Sequence, residues 1–142
     1  MATVKAGTIL QILQDTLAVP TLVKSKGDPF ETLIVTIISQ NTADRNTAVA
    51  FENLSKQFEI TPEALAKAEV SQIEECLKVG GLYRRKTKTI QLVSRIILEN
   101  FGGSLKPVLS LPLEEARKVL TKMPGVGPKT ADVVLLFSAN QP

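Results

Sequence analysis

The sequence predicts an all-α fold, and three observations carry that reading. Apolar residues recur at three- and four-residue spacing in every long periodic segment, the spacing of one face of a helix. Proline and glycine fall between those segments, where they stop and start helices. The one strongly β-branched run, from Phe30 to Ile38, has no second run with which to pair as a strand. No internal repeat or low-complexity stretch is present, so short helices packed around one core are expected rather than a long coiled coil.

The elements follow in order. Residues 8–17 place Ile9, Leu10, Ile12, Leu13 and Leu17 on one side of a first helix, and residues 19–27 form a connection containing Pro20. Asp28-Pro29-Phe30-Glu31 has the form of an N-cap, with proline at the first helical position and glutamate at the third. The helix from Pro29 to Ser39 is apolar nearly all round (Phe30, Leu33, Ile34, Val35, Ile37, Ile38) and should be the central buried one. Asp44 or Thr42 is expected to cap a helix running to about Phe58. Thr61-Pro62-Glu63-Ala64 starts a short helix, and Ser71-Gln72-Ile73-Glu74 starts another that ends at Gly80-Gly81. A long helix from Tyr83 to Asn100 turns Ile90, Val93, Ile97 and Phe101 inward, and Gly102-Gly103 stops it.

The last two predicted helices, Leu113 to Met123 and Pro128 to Ala139, flank the most informative segment, Met123-Pro124-Gly125-Val126-Gly127-Pro128-Lys129-Thr130-Ala131-Asp132. Pro124 ends the preceding helix, because proline lacks an amide donor and restricts the residue before it. Gly125 and Gly127 permit a tight turn and a close backbone approach by another molecule. Pro128 suits the first helical position. The exposed amides of that helix start form an anion site. A lysine amine beside such a site can contact a phosphate, or attack a sugar carbon held next to it. A phosphate-binding P-loop is excluded, since Pro128 separates Gly127 from Lys129.

Composition narrows the chemistry. A chain of 142 residues fits one domain with a real core. Its single cysteine, Cys76, excludes an internal disulfide and a cysteine-built metal site, and it lies on an apolar helix face with Ile73 and Leu77. The absence of histidine excludes serine–histidine catalysis and histidine-ligated zinc. No signal sequence or membrane-length apolar run is present, so a cytoplasmic or nucleoid protein is expected. The net charge of +3 is unevenly placed: seven basic residues face ten acidic ones up to Val79, and ten face four from Gly80 onward. A basic lobe around a glycine hairpin is the footprint of a nucleic-acid binder, although solvated helix faces would read the same way from charge alone.

The hairpin resembles the helix-hairpin-helix of the endonuclease III family of DNA glycosylases, whose form is leucine-proline-glycine-valine-glycine, any residue, then the catalytic lysine and a threonine-alanine pair. Here Met123 stands in place of the leucine and Lys129 falls on the catalytic position. Two further segments match in order: Asp28-Pro29-Phe30-Glu31 with Ser39-Gln40-Asn41-Thr42-Ala43-Asp44, and Gly80-Gly81-Leu82-Tyr83 with Lys86. The resemblance implies a six-helix barrel domain over 20–142, with the hairpin at about 112–139 and an N-terminal helix over 1–19. It also implies base-excision repair of oxidised or mismatched pyrimidines in double-stranded DNA. Lys129 would attack the sugar C1′ and cut the strand through an imine. Gly125, Val126, Gly127 and Thr130 would grip the DNA backbone, and Gln40, Asn41 and Leu82 would fill the gap left by a flipped base. An ordinary capping loop and a helix-start staple are the plain alternatives for those last three. A sodium or potassium ion on the carbonyls of Thr121, Met123 and Val126 is implied as well.

The resemblance also marks departures. The family's catalytic aspartate follows the lysine by about eighteen residues, and its four-cysteine iron–sulfur loop comes later still; both positions fall beyond Pro142. No cofactor is therefore expected within this chain. Base excision is expected to be lost or very weak, with some abasic-site cleavage surviving, and either a homodimer through the N-terminal helix or a displaced first helix is expected. A helix-hairpin-helix module that only binds DNA is the alternative.

Overall fold

In the computed structural model, residues 28–139 are described, with side chains as far as 136; the expected helix over 8–17 and the segment 1–19 lie outside the described residues. Eight helices follow one another among those residues, with no strand. They are α1 (Pro29–Ser39), α2 (Asp44–Gln57), α3 (Pro62–Lys67), α4 (Val70–Leu77), α5 (Tyr83–Asn100), α6 (Lys106–Leu109), α7 (Leu113–Thr121) and α8 (Pro128–Ala139).

The centre is α1. Every residue from Phe30 to Ser39 is buried, and α2, α5 and α8 pack around it. A helix apolar on all sides is stable only inside a ring of others, where each enclosed leucine or isoleucine contributes about 1.5–3 kcal/mol. Its start is the expected cap: the Asp28 carboxylate accepts from the Phe30 amide at 3.0 Å. The three hydroxyls carried inward are satisfied within the helix. Thr32 donates to the Asp28 carbonyl, Thr36 to that of Thr32 and Ser39 to that of Thr36, at 3.1, 2.7 and 2.7 Å, so their burial leaves no donor unmade.

Thr61 caps α3 as expected, its hydroxyl accepting from the Ala64 amide at 3.2 Å. Two other caps differ. Ala43 precedes α2 with no side-chain cap, and Asp44 is already helical, because the Thr42 hydroxyl is engaged by α5 and the turn before it. Glu69, not Ser71, stands at the start of α4. The four-residue α6 had no periodic signal, being too short to display one. Phe101 is only partly buried, whereas Ile90, Val93 and Ile97 are enclosed. The hairpin helices α7 and α8 pack on one another, and α8 lies along α1, which brings the N-terminal end of α8 beside the C-terminal end of α1.

Candidate nucleic-acid interface and lysine site

At the end of α1 the chain leaves the helix through Gln40 and Asn41. Asn41 is left-handed, with φ 57°, a conformation that asparagine tolerates better than most residues. Its neighbour Gln40 reaches across to the hairpin. Its amide nitrogen donates to the Gly125 carbonyl at 3.3 Å and to the Thr130 hydroxyl at 3.2 Å. The turn after α1 and the glycine hairpin therefore form the two walls of one open cleft of about 290 Å³, lined by Thr36, Ser39, Gln40, Asn41, Thr42, Lys129, Thr130 and Val133. Lys129 is exposed at its rim, on the first turn of α8.

The hairpin is built on a division of labour between its glycines. Gly125 has φ +75°, and a Cβ there would lie 2.4 Å from the Thr89 methyl on α5. Gly127 has ordinary φ and open space around the position of a Cβ. Gly125 thus serves the fold, and Gly127 leaves backbone bare to an incoming molecule. Val126 turns its side chain into the core at 4 % exposure and gives its amide to the Met123 carbonyl at 3.1 Å. The helix start beyond it is short of internal acceptors: Pro128 has no amide hydrogen, and the first-turn amides of Lys129 and Thr130 precede any carbonyl one turn back within α8. The start of a helix with such free donors carries a partial positive charge that suits an anion. The side chain of Thr130 is buried and held by Gln40.

Leu82 is the second exposed residue with φ 57°. It stands at the start of α5 and is 49 % exposed; no side-chain cap bond is made there. Leucine thus stands left-handed and half exposed at the helix start. Tyr83 is partly buried against the core, with the Arg84 guanidinium 5.7 Å over its ring. Cys76 is buried, and burial pushes its thiol up from the ordinary value, assisted by Glu75. Its Sγ lies 3.6 Å from the Gln57 amide oxygen.

Sequence reasoning missed two members of this region. Lys86 was read only as part of a motif and counted in the basic lobe, yet it is 4 % exposed. The signal was available: positions 86, 90, 93 and 97 share one helical stripe, and the other three are core. Thr42 was read as a cap. It instead accepts from the Gly81 amide at 3.2 Å and from the Lys86 ammonium in a short contact. Among the described residues, no group of three or more Cys, His, Asp or Glu converges on a point that would hold a metal ion.

An all-helical ring here offers a glycine hairpin, a helix start and an exposed lysine beside one open cleft. The profile of the HhH-GPD superfamily of base excision DNA repair proteins matches residues 34–136, and the chain belongs to that superfamily. It is 41% identical over 115 residues to endonuclease III of Thermotoga maritima, covering 81% of this chain and 50% of that one. It is 33% identical over 127 residues to endonuclease III of Escherichia coli K12, covering 89% and 56%. The chain thus spans about half the length of the curated relatives it matches. A trapped endonuclease III–DNA covalent intermediate superposes with TM-score 0.71 at 26% identity, over 96% of this chain and 58% of that one. A non-covalent endonuclease III–DNA complex gives 0.66, also at 26% identity, over 94% and 56%. No described helix is long and apolar enough to cross a membrane.

Proposed function

We propose that this chain carries the lysine-bearing part of a DNA glycosylase and abasic-site lyase that acts on damaged pyrimidines in double-stranded DNA. The observation that carries the reading is the position of Lys129: exposed, on the first turn of α8, and sharing a cleft with Gln40 and Asn41. A phosphate on the amides of Gly127 and the start of α8 would hold the adjoining sugar within reach of the Lys129 amine. At an abasic site the opened sugar presents C1′ as an aldehyde. The neutral amine adds to it and water leaves, giving an imine. Loss of a C2′ proton to a base then breaks the C3′–O bond, and the 3′ phosphate ester departs with the bonding pair. The covalent protein–DNA intermediate among the similar structures supports this reading.

Asn41 and Leu82 are the residues that enter the duplex, since both are exposed and held in an unusual backbone state. Filling the gap offsets the few kcal/mol lost when a base is unstacked. A monovalent cation would bind the carbonyls of Thr121, Met123 and Val126; that of Met123 already accepts the Val126 amide and would offer its second lone pair. A four-cysteine iron–sulfur cluster cannot be built from this chain, which has one cysteine. Self-association through residues 1–19 and a cytoplasmic or nucleoid location complete the proposal; light scattering on the purified chain tests the first.

Borohydride reduction in the presence of an abasic duplex tests the central claim. The wild-type chain should form a covalent adduct, and Lys129→Ala should form none while still binding the duplex. One observation favours a purely DNA-binding module instead: Asp132, the acidic residue one helical turn from Lys129, is engaged by Arg117. Absence of any adduct from the wild-type chain, with binding intact, would establish that second reading.

A further inference from the structure

A buried lysine ties together the two turns that present Asn41 and Leu82. The Lys86 ammonium, enclosed on α5, donates to the Ile38 carbonyl at 2.7 Å and to the Thr42 hydroxyl. The same hydroxyl accepts from the Gly81 amide at 3.2 Å and faces the Gln40 carbonyl at 3.4 Å. All three hydrogen-bonding positions of that oxygen are therefore used. The chain of contacts continues, since the Gln40 side chain bonds to the Gly125 carbonyl and the Thr130 hydroxyl. One connected polar path runs from α5 through the turn after α1 to the hairpin.

The sequence around it is shaped to let the two turns approach. A Cβ on Gly80 would lie 2.9 Å from the Thr42 methyl, and one on Gly81 would lie 3.2 Å from the Asn41 carbonyl. On either side of this contact stand Asn41 and Leu82, both at φ 57°. A left-handed leucine is unfavourable and persists only where its surroundings impose it. Burying an ammonium is costly as well unless its hydrogen bonds are made. Two unfavourable features meeting at one hydroxyl are the mark of a site built for geometry rather than for stability.

We propose that Lys86 is a positioning residue: through Thr42 it fixes the turn bearing Asn41 to the turn bearing Leu82, so that both side chains meet a duplex as one rigid pair. The inference rests on the proposed DNA-repair reading, and it deepens that reading by assigning a positioning role to Lys86 and its partner Thr42.

The test uses Thr42→Val, which keeps the shape and removes the hydroxyl, and Thr42→Ser, which restores it. Affinity is measured by fluorescence anisotropy for a duplex carrying a tetrahydrofuran abasic analogue and for the same duplex undamaged. For Thr42→Val the preference for the abasic duplex should fall about fivefold, the scale of one lost hydrogen bond, and Thr42→Ser should regain it. Lys86→Met should follow Thr42→Val where it folds. In the free protein, the Gly81 amide should exchange faster with deuterium in Thr42→Val. An unchanged preference in Thr42→Val, an equal loss on both duplexes, or no recovery in Thr42→Ser overturns the positioning role alone. A wild-type chain that shows no preference for the abasic duplex overturns the DNA-repair reading, and the positioning role with it.

Discussion

Arg117 and Asp132 clasp the two helices of the hairpin. The guanidinium Nε lies 2.8 Å from one carboxylate oxygen, and a terminal nitrogen lies 3.3 Å from the other. This two-point contact joins α7 to α8 one helical turn beyond Lys129. The only carboxylate within a turn of the proposed nucleophile thus has a structural partner. Both side chains are about half exposed, so the pair contributes little, about 0–1 kcal/mol. Asp132→Asn should therefore lower stability by no more than that in a urea titration and should leave borohydride trapping on an abasic duplex intact. A loss of trapping in this variant, with folding preserved, would make Asp132 part of the chemistry.

If the proposed function holds, the engagement of Asp132 by Arg117 should affect two activities differently. Base excision needs a carboxylate to activate the amine or to stabilise the developing positive charge on the sugar, whereas an opened abasic sugar forms the imine with a placed amine alone and then needs only a proton acceptor at C2′. Duplexes carrying thymine glycol and an abasic site should be cut very unequally by the 142-residue chain, with cleavage confined largely to the abasic substrate. Equal turnover of both, measured by gel under single-turnover conditions, would refute this.

The two hairpin glycines should respond in opposite ways to alanine. Gly125→Ala forces a Cβ into Thr89 at a positive φ and should destabilise the protein by about 1–3 kcal/mol. Removing the Thr89 methyl in Gly125→Ala/Thr89→Ala should recover part of that loss and leave the backbone strain. Gly127→Ala meets open space and should fold with little change in stability, yet weaken binding to duplex DNA by covering the bare backbone. Thermal unfolding together with salt-dependent binding separates the two.

Gln40 should act through the hairpin as well as through the cleft. Its amide bridges Gly125 and Thr130, and the Thr130 side chain is buried. A double-mutant cycle of Gln40→Ala and Thr130→Val should give a coupling of about 0.5–1.5 kcal/mol in unfolding free energy. Additive effects would mean that the bridge contributes nothing to the folded state.

The course of the helices was legible wherever a proline or an apolar stripe marked it. Pro29, Pro62 and Pro128 begin the helices they were expected to begin, and α5 runs from Tyr83 to Asn100 as its stripe required. Membership of the hairpin family was legible too, because a glycine turn between two helices leaves a dense local pattern around Lys129. What was not legible arises from contacts distant in sequence. Thr42 reads as a cap until α5 is placed beside it. Lys86 reads as surface charge until its stripe is seen to be the buried one. The left-handed state of Leu82 carries no sign in residue type, since a leucine is among the residues least suited to that conformation, whereas asparagine at 41 permits the state without requiring it. The clasp of Asp132 by Arg117 likewise joins residues fifteen apart, and helix periodicity within either element cannot reveal it.

The last prediction concerns pH. Burial lowers the Lys86 ammonium from the ordinary lysine value of 10.5. The unfolded chain therefore binds more protons at this residue than the folded one in the range just below 10.5, and stability should rise with pH there. The contribution is complete above 10.5 and is lost as pH falls through the lower folded value. Cys76 acts in the opposite sense. Its thiol is raised from 9.0, so its contribution is complete below 9.0 and is lost as pH rises through the folded value. The two trends overlap in mildly alkaline solution and must be separated by substitution. Lys86→Met removes the first, so the stability of the wild type relative to Lys86→Met should increase as pH is raised toward 10.5, measured by urea titration at each pH. Cys76→Ala removes the second, and the remaining wild-type curve should then climb more steeply over the same range. A relative stability of wild type and Lys86→Met that does not vary with pH would mean that burial does not lower the Lys86 ammonium, its hydrogen bonds to Ile38 and Thr42 offsetting the lost water.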